Sequence, residues 1–179
     1  MPKKIEGLRE KIIETAKNRL LTGDYGRFSL REVAKDCGIA VGTIYNYFPD
    51  KDNLSANVIR EDWEVFLNKM KDGIEKASGL KEGIEVICGE IADFNTCYSK
   101  IWETYQPSNG FSSLYRKGHF LLRDQIVLLL KEIFSRLQEE EDEGIIRMLA
   151  EGCLNAAVRG GEDKNDLFLL VDRLYERRG

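Results

Sequence analysis

Between Ser29 and Lys51 the polar side chains are mostly hydroxyls, phenols and isolated charges, an inventory suited to holding a phosphate-bearing duplex rather than to making bonds. Thr43 can donate to a phosphate oxygen or touch a thymine methyl. Tyr45 and Tyr47 offer flat apolar area with a hydroxyl for the sugar–phosphate backbone. Gly42 lets the helix that bears them lie close to a groove floor. Lys51, beside the N-terminus of the next helix, neutralises a phosphate together with the free backbone amides there. Ser29 and Arg31, one helix earlier, hold the backbone or reach a base edge. For Tyr47, filling space beneath the helices is the alternative, and Asn46 is equally suited to face solvent. Catalysis lacks parts: the chain has one histidine, His119, and no nucleophile signature, metal constellation or glycine-rich phosphate loop. It therefore reads as a non-enzyme with no metal and no cofactor.

These residues need two short helices and a tight turn to position them. Ser29 followed by Glu32 predicts a capping box at a helix start. Leu30, Val33 and Ala34 give that helix one apolar face. Gly38 falls where a helix end needs positive φ, which glycine adopts without a Cβ clash. Residues 40–48 predict the next helix, with Ile44 and Phe48 one turn apart and facing inward. Pro49 stops it, and Asp50 caps the helix that follows. Two short helices joined by a glycine-containing turn form a helix-turn-helix, whose second helix enters the major groove.

The run Gly42-Thr43-Ile44-Tyr45-Asn46-Tyr47-Phe48, with Lys51 and Leu54, resembles the signature of the TetR family of bacterial transcription regulators. A first helix near residues 7–21, a loop with Gly23 and Gly26, and Phe28-Ser29-Leu30-Arg31-Glu32-Val33-Ala34 extend the resemblance over roughly residues 8–55. Cys37 stands where the family often has alanine. The resemblance implies an all-α fold, with a three-helix head over residues 1–50 on a helical ligand-binding and dimerisation body over 51–179. It also implies a homodimer on a palindromic double-stranded operator, most often a repressor, released by a small apolar or amphipathic molecule. An adaptor that binds DNA through the head and a protein through the body is the alternative.

Composition agrees with a globular chain: 42% of residues are hydrophobic and 32% charged. The net charge of −4 is unevenly spread. Residues 1–55 carry ten Lys and Arg against eight Asp and Glu, and the remainder 17 against 23, so the basic excess lies in the head. Lys3 and Lys4 are among these ten. The N-terminus leads straight into an amphipathic segment and the longest apolar run is too short for a bilayer, which predicts a cytoplasmic protein that does not engage a membrane. Cysteines 37, 88, 97 and 153 lack CxxC spacing and are expected reduced and mostly buried.

The body reads as consecutive helical stripes. One carries Leu54, Val58, Trp63, Phe66 and Met70; the next runs from Leu80 through Phe94, Tyr98 and Trp102. A third covers about 111–138, and its middle, residues 126–130, is apolar all round and so expected buried on every side. Two more follow near 142–159 and 163–177, with Asp163 as the cap. The resemblance implies a ligand site, and Trp63, Phe66, Phe94, Tyr98, Trp102, Tyr115, His119 and Phe120 are the groups suited to line it; ordinary aromatic core is the plainer reading. Gly152, Ala156 and Gly160 recur at four-residue spacing. With Leu149, Cys153 and Phe168 they suggest a face packed against a second copy; a close contact within the chain is the alternative.

Overall fold

The computed structural model describes residues 6–23, 25–104, 111–138, 141–159 and 161–175. No strand occurs among them, so the fold is all-α as expected. In chain order the helices are α1 (Leu8–Thr22), α2 (Leu30–Cys37), α3 (Val41–Tyr45), α4 (Lys51–Lys76), α5 (Leu80–Cys97), α6 (Ser99–Thr104), α7 (Phe111–Arg136), α8 (Glu143–Arg159) and α9 (Gly161–Tyr175), with a 3-10 turn at Tyr25–Arg27. The chain forms two compact units, Met1–Val65 with Cys97–Gln106, and Phe66–Thr96 with Pro107–Gly179.

The first unit closes on an apolar core of Ile12, Ala16, Leu20, Phe28, Val33, Ala34, Ile44 and Phe48, with Leu54 and Val58 from α4. Both residues expected to face inward from the recognition segment, Ile44 and Phe48, do so. The helix that bears them is shorter than the sequence suggests. After Tyr45 the chain tightens, with Asn46 N donating to Thr43 O at 3.1 Å and Tyr47 N to Ile44 O at 3.0 Å. The residue before a proline avoids the helical region, and Phe48 precedes Pro49.

A polar group lies within this unit. Asp62 on α4 is 8% exposed. Its carboxylate accepts from Lys17 Nζ on α1 at 2.5 Å and from the Tyr98 hydroxyl at 2.6 Å. Tyr98 is fully buried, and its burial and the neighbouring carboxylate both push the phenol well above its ordinary pKa, so it stays a donor. One helical position earlier, Glu61 accepts from Arg9 of α1 at 2.8 Å. Two polar contacts therefore pin α1 to α4.

In the second unit α4 and α5 meet through Phe66 and Phe94, whose rings stand edge to face at 5.5 Å. Arg136, ending α7, donates to the carbonyls of Ile74 and Ala77, which satisfies acceptors at the α4 C-terminus. Lys81 and Asp172 tie α5 to α9 at 2.7 Å. Residues 126–130 correct an expectation: Ile126, Val127, Leu129 and Leu130 are buried, but Leu128 is 65% exposed. A helix that packs within its unit on one side leaves the fifth apolar residue outside. Asp163 lies inside α9 rather than at its cap, paired with Arg159 at 3.7 Å.

Removing the Asp62 carboxylate strands the buried Tyr98 hydroxyl. Asp62→Ala should therefore lower the unfolding free energy by about 2–3 kcal/mol, and Tyr98→Phe by about 1–2 kcal/mol. Urea denaturation measures both, and unchanged midpoints would show that the pair contributes nothing to stability.

Candidate nucleic-acid interface

The outward face of the first unit is built from the start of α2, the whole of α3 and the start of α4. Local chemistry fixes each. Ser29 opens α2, its hydroxyl oxygen accepting from Glu32 N at 3.3 Å. The Glu32 carboxylate pairs with Arg19 at 3.2 Å instead of reaching back to the cap. Arg19 also holds the Asp36 carboxyl below the usual carboxylate range through a hydrogen bond.

At the other end of α2, Gly38 takes φ +68°. Its amide donates to Lys35 O at 3.1 Å and the Ile39 amide to Ala34 O at 3.0 Å, the pairing of a Schellman motif. Lys11 Nζ adds a further bond to Cys37 O at 3.0 Å. This turn delivers the chain into α3. There the Asp50 carboxylate accepts from Asn53 N at 2.7 Å, so α4 begins on the expected cap.

On that frame the candidate residues fall into distinct settings. Arg31, Gly42, Tyr45 and Asn46 are exposed, and Ser29, Thr43, Tyr47 and Lys51 are half-buried. Tyr45 is 50% exposed while the preceding Ile44 is fully covered, so α3 hangs from one buried side chain and presents the rest. Gly42 is open: a Cβ there would meet nothing within 4 Å. The Lys51 ammonium sits 4.6 Å from the centre of the Tyr25 ring, and the Tyr25 hydroxyl donates to Asp52 at 3.0 Å. Tyr25 was not among the sequence candidates. An aromatic residue in a short glycine-flanked loop was the available signal for it. α6 packs against the same 3-10 turn that carries Tyr25. Val41, 39% exposed, was also missed.

The residues proposed for a ligand site divide between the units. Trp63 and Tyr98 are buried in the first; Phe66 and Phe94 meet in the second. Tyr98 spends its hydroxyl on Asp62, which makes it part of the polar lock described above. The side chains of Trp102, Tyr115, His119 and Phe120 lie outside the described residues.

The small-residue stripe of α8 is occupied from within the chain. Leu149, Cys153 and Ala156 are buried, and a Cβ on Gly152 would come within 2.8 Å of Leu167 Cδ1 on α9. Glycine there permits close approach of α8 and α9 inside one chain, and Gly152 itself is half-buried. Phe168 is half-buried, with Lys164 Nζ 5.6 Å from its ring, and Gly160 lies outside the described residues. Of the cysteines, 37, 88 and 153 are buried and 97 is exposed, all as free thiols. Among the described residues no helix is long and apolar enough to cross a membrane, and no group of three or more His, Cys, Asp or Glu could hold a metal.

Comparison with known proteins places this face in context. Residues 12–58 match the family model described as bacterial regulatory proteins, tetR family. A fatty acid metabolism regulator protein of Bacillus subtilis (strain 168) is 27% identical over 162 residues, spanning 90% of this chain and 74% of that protein. An HTH-type transcriptional regulator of Staphylococcus aureus (strain USA300) is 32% identical over 112 residues, 63% of this chain and 60% of that protein. Among solved structures, Bacillus subtilis FadR in complex with stearoyl-CoA shares the fold at a TM-score of 0.54 and 19% identity, covering 93% of this chain and 95% of that one.

Proposed function

We propose that the chain, whose residues 12–58 match the tetR family of bacterial regulatory proteins, is a transcriptional regulator that acts as a homodimer on a palindromic DNA operator. The observation that carries this reading is the presentation of α3. Ile44 alone is fully buried, while Gly42, Tyr45 and Asn46 are exposed on an otherwise packed head. A helix used only for packing would bury more of itself.

On this reading α3 lies in the major groove. Thr43 and Tyr45 face base edges and the sugar–phosphate backbone, with Asn46 at the margin. Ser29 and Arg31 hold one strand from α2. Lys51, steadied over Tyr25, pairs with a phosphate at the start of α4. Two heads related by a two-fold axis read two half-sites, which converts a short contact into a specific one.

The second copy docks through the last three helices. Leu121 and Leu128 on α7, Met148 and Val158 on α8, and Leu169 and Leu170 on α9 are between 40% and 68% exposed. Such a concentration of large apolar side chains on one unit suits a partner of the same chemistry, and a second copy supplies it. A small apolar or amphipathic ligand of the body then shifts the pair toward a state whose heads no longer match the operator, so the protein represses until the ligand binds. The Bacillus subtilis relative, a fatty acid metabolism regulator, points to an acyl compound as the class to test first.

Duplexes selected from a randomised pool, read by fluorescence anisotropy over a salt series, test the head. The wild type should bind one palindromic sequence tightly, and Tyr45→Ala should lose that preference. Lys51→Ala should weaken binding about equally on all sequences and lower the salt slope by about one unit for each head engaged. Weak binding to every duplex would overturn the reading.

Sedimentation velocity tests the body. The wild type should run as a dimer, and the double change Met148→Glu with Leu169→Glu as a folded monomer. A wild-type monomer would hand this apolar surface to a different protein partner and favour the adaptor reading.

A further inference from the structure

The tip of α3 carries a feature that packing and helix formation explain only in part. Residues 39–42, Ile-Ala-Val-Gly, contain no side chain able to donate or accept a hydrogen bond. Ala40, Val41 and Gly42 are all exposed. Valine and glycine are poor choices for the first two residues of a helix only five residues long. The branched side chain gives up rotamer freedom, and glycine gives up backbone entropy. The fold does not require Gly42, and it covers Val41 only in part. Val41 leaves 39% of its surface in water, and a Cβ at Gly42 would meet nothing within 4 Å. Nor does Gly42 adopt positive φ, which among the described glycines occurs only at 7, 38 and 161.

The reason for Gly42, and for the exposed part of Val41, therefore lies outside the chain. An absent side chain at Gly42 allows close approach by a partner surface. An exposed apolar side chain beside it offers that surface two methyl groups and no polar group. In the major groove one feature of the base edges is apolar, the C5-methyl of thymine. We propose that Val41 is a specificity-determining residue that packs on a thymine methyl in each half-site, brought there by the close approach that Gly42 permits. This rests on the reading of α3 as the groove-entering helix. The polar readers Thr43, Tyr45 and Asn46 lie further along, so Val41 selects A·T at a position that no side-chain hydrogen bond reads.

The test changes the DNA and leaves the protein intact. In the selected palindromic duplex each thymine is replaced in turn by deoxyuridine, which removes only the methyl group. The wild-type chain should lose about fourfold in affinity at one thymine per half-site, and about fifteenfold when both symmetry-related thymines are replaced. Val41→Ala should bind the thymine duplex more weakly and become insensitive to uridine at that position. Because Val41 is partly exposed and Ala is the better helix former, this variant keeps its fold, and its unfolding midpoint should stay close to wild type. Tight selective binding that no uridine weakens overturns the assignment while leaving the DNA-reading head standing. So does a uridine effect that persists in Val41→Ala, which would give the methyl contact to another residue such as Thr43. Failure to select any duplex removes the head reading, and this assignment with it.

Discussion

A carboxylate moved out of water must find charged or hydrogen-bonded partners or lose its charge, and that constraint organises the first unit. Asp62 meets it by accepting from Lys17 on α1 and from Tyr98, between α5 and α6. Three segments far apart in sequence are fixed by one side chain. The neighbouring Arg9–Glu61 pair repeats the α1–α4 connection, so α1 is held in rotation as well as position. The apolar faces of α2 and α3 pack into the core of the same unit.

What this unit supports is too short to stand alone. An isolated five-residue helix is far below the length at which helices persist in water. α3 exists because its surroundings impose it. The Schellman turn at Gly38 sets its entry, Ile44 anchors its middle, and Pro49 with the Asp50 cap ends the approach to α4. Since the constraints act at the ends and at one buried side chain, the remaining positions are free to be chosen for contact with something else. That division of labour explains how one short helix can combine a rigid frame with an exposed face of valine, glycine and tyrosine.

The legible parts of the sequence were those governed by local chemistry. Ser29, Gly38 and Asp50 each do what their side chain, or its absence, allows within a few residues, and the structure finds them doing it. Periodicity likewise located the helices. It could not say which neighbour covers an apolar face. Residues 126–130 are apolar throughout, yet Leu128 projects outward; the α8 stripe at Gly152 is filled by Leu167 of the same chain. Tyr98 illustrates the same limit. Its place in an aromatic stripe gave no sign of its hydroxyl's partner, an aspartate 36 residues earlier. Contacts across such separations leave no trace in local spacing. The capping box failed in part for a similar reason, since Arg19 competes for the Glu32 carboxylate from another helix.

Hydrogen–deuterium exchange of the intact chain, with and without a saturating selected duplex, tests the central assignment most directly. Slowed exchange concentrated in peptides spanning residues 29–51, with α5, α7 and α9 little changed, is the expected result. Protection confined to residues 66–175, or none at saturation, would contradict a DNA interface built from α2, α3 and the start of α4.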